Sequence, residues 1–135
     1  MSSEILAAHL NDFALRCFRD IADGDYIAAR MAYRADLIPQ ALWASQQAIE
    51  KYLKAFLTHR NKKVKANHDL IELLNQCIDE ESGFSSFKIS LFYRLDEIGM
   101  SVRYTDMEKD PDIEETRLFL KLAFDIENFV IGKLV

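Results

Sequence analysis

Between Leu37 and His59 three kinds of side chain recur at helical spacing, and this stretch constrains the fold more than any other. Leu42, Ile49, Tyr52, Leu53 and Phe56 form one apolar face of a helix. Ala41, Ala44, Ala48 and Ala55 form a second, smooth face. Small residues let a neighbouring helix approach closely, so this helix has partners on two sides and is the expected spine of the fold. Its remaining side carries Gln47, Glu50, Lys51 and Lys54 at i, i+3, i+4 and i+7. That polar stripe is either a solvated edge or the wall of a polar groove, and the functional reading turns on which.

The rest of the chain continues the helical pattern. A first helix is expected from about Glu4 to Ala22, with Leu6, Leu10, Phe13 and Cys17 along its apolar stripe. Asp23-Gly24-Asp25 is expected to break or kink it before an alanine-rich stretch from Tyr26 to Ala35. Asp36 is the expected N-cap of the spine, with Pro39 tolerated in its first turn. A basic loop, Arg60 to Asn67, leads to a helix from His68 to Glu81 capped by Asn67, with Leu70, Leu73, Leu74 and Ile78 as its stripe. A turn at 82–85 precedes a helix from Ser86 to Met100, and the segment from Gly99 to Asp110 reads as irregular. Asp110-Pro111 then starts a last helix running to about Lys133.

The expected architecture is a single all-α domain, an up-and-down helical bundle of five to six helices. Composition agrees. A chain of 135 residues that is half hydrophobic can bury one core, and four glycines and two prolines are too few for a turn-rich β fold. A net charge of −5 argues against nucleic-acid binding over the whole surface, though not against a local basic patch. Cys17 and Cys77 lack metal-ligand spacing and read as buried reduced thiols. The apolar tail from Leu118 to Val135 is interrupted by Lys121, Asp125, Glu127 and Lys133, so it is no membrane span. With no signal-like run at the N-terminus, the expected location is cytoplasmic.

One local basic patch exists. Arg60, Lys62, Lys63 and Lys65, flanked by His59 and His68, concentrate positive charge in an acidic chain. They read either as a contact surface for a nucleotide or RNA phosphate, or as a solvated connector at a cation-attracting helix C-terminus. His68 is either a hydrogen-bond donor to a ligand or a structural tie. Arg103 either pairs with Glu50 or Asp69 inside the bundle or points at an anion, and Tyr104 either stacks on a base or covers the core. The three histidines form no helical zinc pair, and neither a Gly-rich phosphate loop nor a nucleophile elbow occurs. The acids from Asp106 to Glu115 read as a solvated surface, and no cofactor or metal is implied.

Taken together, the alanine-rich second stretch, Ala48-Ile49-Glu50-Lys51-Tyr52-Leu53-Lys54-Ala55, His68-Asp69-Leu70 and Val102-Arg103-Tyr104 resemble the HEPN family of helical domains. The resemblance implies an α-bundle that forms homodimers, a nucleotide or RNA partner, and pairing with a minimal nucleotidyltransferase in toxin–antitoxin-type modules. Active members are similar to metal-independent ribonucleases that use an Arg followed four to six residues later by a His. This chain departs from that pattern, because no His follows His68 and Arg60 precedes it by eight positions. The expected function is therefore a non-catalytic domain that binds a nucleotide or RNA phosphate, or a partner nucleotidyltransferase, with Lys51, Lys54, His68, Arg103 and Tyr104 at the site. The alternatives are a ribonuclease toxin with a divergent site, such as His68 with Arg103 across a dimer, and a plain dimerisation module.

Overall fold

A computed structural model describes residues 2–64, 69–104 and 112–134, with the side chains of 99–104 outside the description. Among the described residues five helices carry the fold: α1 (Ser3–Arg34), α2 (Ile38–His59), α3 (Leu70–Glu80), α4 (Ile89–Tyr104) and α5 (Ile113–Lys133). A single 3₁₀ turn, Ser82–Ser86, lies between α3 and α4, and no strand occurs among the described residues.

The spine is α2. From Ala41 to Thr58, only Trp43, Gln47 and Lys51 escape full burial. Its apolar face packs with Leu70, Leu74, Phe84, Phe92, Leu95, Phe119 and Ile126 in one core, where each large buried side chain contributes roughly 1.5–3 kcal/mol. Phe84 sits at the centre of an aromatic cluster, with its ring 4.7 Å from Phe56 and 4.6 Å from Phe129.

α1 and α2 form an antiparallel hairpin. Asn11 on α1 donates to the Thr58 carbonyl (2.8 Å) near one end of the pair, and the Tyr52 hydroxyl donates to Asp23 further along. Lys51 also lies close enough to Asp25 to act on its charge. Ala48 and Ala55 flank these positions, so α1 packs on the alanine side of the spine, with Ala22 and Ala29 as its own fully buried contacts.

Several boundaries differ from the sequence expectation. Asp23-Gly24-Asp25 does not break the first helix, which runs unbroken to Arg34. A mid-helix glycine costs only about 1 kcal/mol, and docking along the whole hairpin outweighs that. Asp36 does not cap α2 either. It adopts a left-handed conformation (φ 60°) just past the end of α1, where Leu37 N–H bonds the Ala32 carbonyl (2.9 Å) and Asp36 N–H bonds Tyr33 (3.1 Å). That is a Schellman end, and short polar residues tolerate its left-handed position. Asn61 (φ 58°) closes α2 in the same way, with Lys62 N–H on the Leu57 carbonyl.

Leu37 is the N-cap residue of α2 and supplies no side-chain bond. The cap of α3 is Asp69, whose carboxylate accepts from Ile71 and Glu72 N–H (3.0 and 3.2 Å); the expected cap, Asn67, lies outside the described residues. α4 continues through Gly99 to Tyr104 instead of giving way to an irregular segment. α5 is capped by Asp112, which accepts from Glu115 N–H at 2.7 Å, and Asp110 and Pro111 lie outside the described residues. Cys77 is fully buried, and burial pushes its thiol up to about 12, whereas Cys17 is only partly covered. No helix is long and apolar enough among the described residues to cross a membrane.

Candidate ligand-binding site

The polar stripe of α2 does come together, as an inward-facing strip. Glu50 is fully buried, and its Oε2 accepts from both Lys51 Nζ (2.5 Å) and Lys54 Nζ (3.2 Å). The side chain of Lys54 is only 8% exposed and that of Lys51 17%. Covering an ammonium costs far less beside an anion, and Glu50 supplies one. Asp25 approaches from α1. Burial raises its carboxyl above the usual range, partly opposed by Lys51, while Glu50 adds to the rise.

Further toward the N-terminus of α2, Gln46 Nε2 donates to Asp96 of α4 at 3.4 Å. Burial and the neighbouring Asp69 push the Asp96 carboxyl up to about 6, against hydrogen bonds from Leu70, Gln46 and Ile71. Two buried amide atoms in this region, Gln46 Oε1 and Gln47 Nε2, have no hydrogen-bond partner among the described residues. Buried polar atoms are nearly always paired, and Gln47 stands one turn before Lys51 on the same helix.

The other expected site residues divide. His68 and Lys65 lie outside the described residues, and Arg103 and Tyr104 are described only as the helical end of α4. The remaining members of the basic connector are largely used in holding the bundle. Arg60 reaches the Glu80 carbonyl (3.4 Å) and Glu81 (3.8 Å) and lies over the Phe56 ring (5.0 Å). Lys62 pairs with Glu80 at 3.2 Å. Lys63 is exposed and has no ion pair among the described residues. Through Arg60 and Lys62 the start of the connector ties the end of α2 to the end of α3.

Two surfaces escaped the sequence reading. The expected apolar stripe of the first helix is not core: Leu6 (49%), Leu10 (60%) and Phe13 (60%) are exposed and Cys17 is only partly covered, and Ile27 (57%) and Met31 (66%) further along α1 are exposed too. The buried side of α1 is the opposite one, on which Ala22 and Ala29 lie. The second surface is a cleft of about 540 Å³ between α1 and α5, with Arg30, Arg34, Arg117 and Lys121 around Tyr26 and Phe124. Its signal was present as two i, i+4 cation pairs, but nothing in the sequence placed the two helices side by side.

A small all-α bundle domain built round one buried, polar-striped helix is the class that this architecture defines. The family model for the HEPN domain matches residues 15–133, and the chain belongs to the HEPN domain family. Neither the curated proteins nor the solved structures compared with it gave a significant match.

Proposed function

We propose that this chain is a non-catalytic HEPN-family subunit that works in an assembly of the toxin–antitoxin type. It pairs with a second copy of itself through the outer face of α1, and the strip on α2 holds a nucleotide or RNA phosphate or meets a partner nucleotidyltransferase. The observation that carries this reading is the uncovered apolar seam of α1. Contiguous exposed apolar surface on a folded domain marks an interaction site. The seam follows positions 6, 10, 13, 17, 20, 24, 27 and 31, alternating steps of four and three, the spacing of a two-helix contact.

The pattern is self-complementary when the helix is laid antiparallel on its copy. Leu6 then faces Met31, Leu10 faces Ile27, and the Phe13 ring faces Gly24. Nothing lies within 4 Å of the place where a Gly24 side chain would stand, so the gap is open to a ring. Each such contact occurs twice about a twofold axis, which makes a closed dimer. Asp20 is the polar break at the centre. Light scattering on a sizing column tests this: the wild-type chain should run as a dimer at tens of micromolar, and Phe13→Glu as a folded monomer. A monomeric wild type would refute it.

A phosphate at the α2 strip is favoured by the orphan Gln47 Nε2 one turn before Lys51. Calorimetric titration with ATP and with a short RNA checks this part, and heat that Lys51→Gln abolishes is the expected result. The ribonuclease alternative rests on His68 with Arg103, whose side chains lie outside the described residues.

A further inference from the structure

The groove between α1 and α5 changes sign along its length. Two contacts fix its register: the Tyr26 and Phe124 rings lie 6.3 Å apart, and the Tyr52 hydroxyl, which bonds Asp23, also reaches Glu127. The two helices therefore run antiparallel. One turn further toward the end of α1, Arg30 comes level with Lys121, and the next turn sets Arg34 level with Arg117. In the other direction the groove ends on the carboxylates of Asp23 and Glu127.

The cations of the upper end are open to a partner. Arg30 and Arg34 are exposed and have no ion pair among the described residues. Arg117 has only a long contact to Glu114 (3.9 Å), with both side chains more than two-thirds exposed. Lys121 pairs with Asp125 at 2.9 Å on the helix surface. Exposed pairs of this kind are worth little, so their cations remain available to a better-placed anion. No carboxylate lines this cleft among the described residues, although the chain carries a net charge of −5.

The arrangement selects the kind of anion. A chain with a charge on every unit does not suit the groove, because it would carry its charge on toward Asp23 and Glu127. Nor is there a stacking platform: the Tyr26 ring is partly buried, with Asp125 and Glu127 acting on it, and Arg30 already stands 5.8 Å from its centre. Phe124, nearly half exposed, offers an apolar contact instead. Guanidinium forks match carboxylates two atoms to two. Carboxylates four residues apart on a helix stand about 5–6 Å from each other, the same interval that separates Arg30 from Arg34.

We propose that this groove docks an acidic helical segment of a partner protein, with one turn of carboxylates on Arg30, Arg34 and Arg117 and an apolar side chain of the adjoining turn on Phe124. The change of sign along the groove also sets the segment's direction, its acidic end lying at Arg34 and Arg117. The surface shares no residue with the α2 strip or with the α1 seam, so it stands or falls separately from the function proposed above.

The probe is a labelled helix-forming peptide of about 15 residues, alanine and glutamine throughout except for two glutamates four apart and a leucine one turn on. Its counterpart replaces both glutamates by glutamine. Fluorescence anisotropy with the full chain should show saturable binding of the glutamate peptide, at least about ten-fold tighter than that of the glutamine one. Affinity should fall as salt rises from about 50 to 500 mM. Arg34→Glu and Arg117→Glu should each weaken binding about ten-fold or more. Phe124→Ala should weaken it about five-fold and leave the salt dependence as it was. Circular dichroism checks folding, and Arg117→Gln is the milder variant should a reversal disturb it.

Any of four results would overturn the proposal. The glutamate peptide fails to bind, or binds no better than its glutamine counterpart. None of the cleft variants changes its affinity. Single-stranded RNA displaces it at a lower concentration than the unlabelled peptide does, which would give the groove to nucleic acid. Arg117→Glu turns a dimer into a monomer in light scattering, which would fill the groove with a second copy of this chain.

Discussion

Tyr52, buried in the middle of α2, donates its hydroxyl to Asp23 of α1, one residue before the glycine that should have weakened that helix. The bond clamps the long helix to the spine where its local propensity is poorest. Burial, then the bond to Asp23, holds the Tyr52 hydroxyl above the usual tyrosine range, so it remains a donor at any physiological pH. Tyr52→Phe keeps the ring and removes the bond. The expected loss is about 1.5–2 kcal/mol, the worth of a hydrogen bond to a charged group, read from urea unfolding at fixed protein concentration.

The Glu50 cluster should respond more strongly. Removing one partner of a buried ion pair leaves the other charge uncompensated, at about 3–5 kcal/mol. Glu50→Leu strands Lys54, almost wholly covered on the same helix, and should destabilise the fold within that range. Adding Lys54→Met to it should recover much of the loss, because an apolar pair of similar volume removes the stranded charge. Urea midpoints of the two variants give the comparison. A double variant no more stable than the single one would show that Glu50 is held chiefly by other contacts.

What the sequence made legible was periodicity, and what it hid was contact. The spine from Leu37 to His59 was readable because three residue classes repeat there in phase, and the structure buries its apolar and alanine faces as that pattern requires. The same logic placed Leu6, Leu10 and Phe13 on one face of the first helix but could not say that the bundle lies on the other side. Single-residue signals were least reliable. Asp36 looked like a helix start and is a helix end, because a left-handed aspartate and a capping aspartate are the same residue in sequence. Gly24 and Gly99 looked like breaks, and α1 and α4 run through them. At the site, the convergence of Glu50, Lys51 and Lys54 followed from helical spacing alone. The α1–α5 cleft did not, since it depends on how two helices far apart in the chain come together.

Asp96 predicts a pH dependence. Its carboxyl is raised to about 6, first by burial and then by Asp69, against an unfolded value near 3.9. Between those values the folded state holds more protons than the unfolded one, so this group's contribution to stability falls as pH rises from about 4 to 6. Asp25 and Glu127, both raised by burial, act in the same direction. Asp96→Asn should therefore be more stable than the wild type at pH 7.5, with the gap closing by pH 4. Thermal melts across that range measure it, and a gap that widens on acidification would reverse the sign assigned here.

Gly83 and Gly24 should answer oppositely to the same substitution. A Cβ on Gly83 would stand 2.8 Å from Phe129 Cζ and 3.1 Å from Cε2. That ring cannot simply swing away, because it packs edge-on against Phe84 (4.6 Å) and Phe87 (5.5 Å). Overpacking of this kind costs about 1–3 kcal/mol, so Gly83→Ala should lower stability by that amount. Gly24 is helical and faces open space within the single chain, so alanine there should gain about 0.5–1 kcal/mol at protein concentrations low enough to keep the chain monomeric. Urea unfolding of the two variants side by side gives both signs. At tens of micromolar, where the proposed dimer sets the Phe13 ring against that position, the same substitution should weaken the dimer in light scattering.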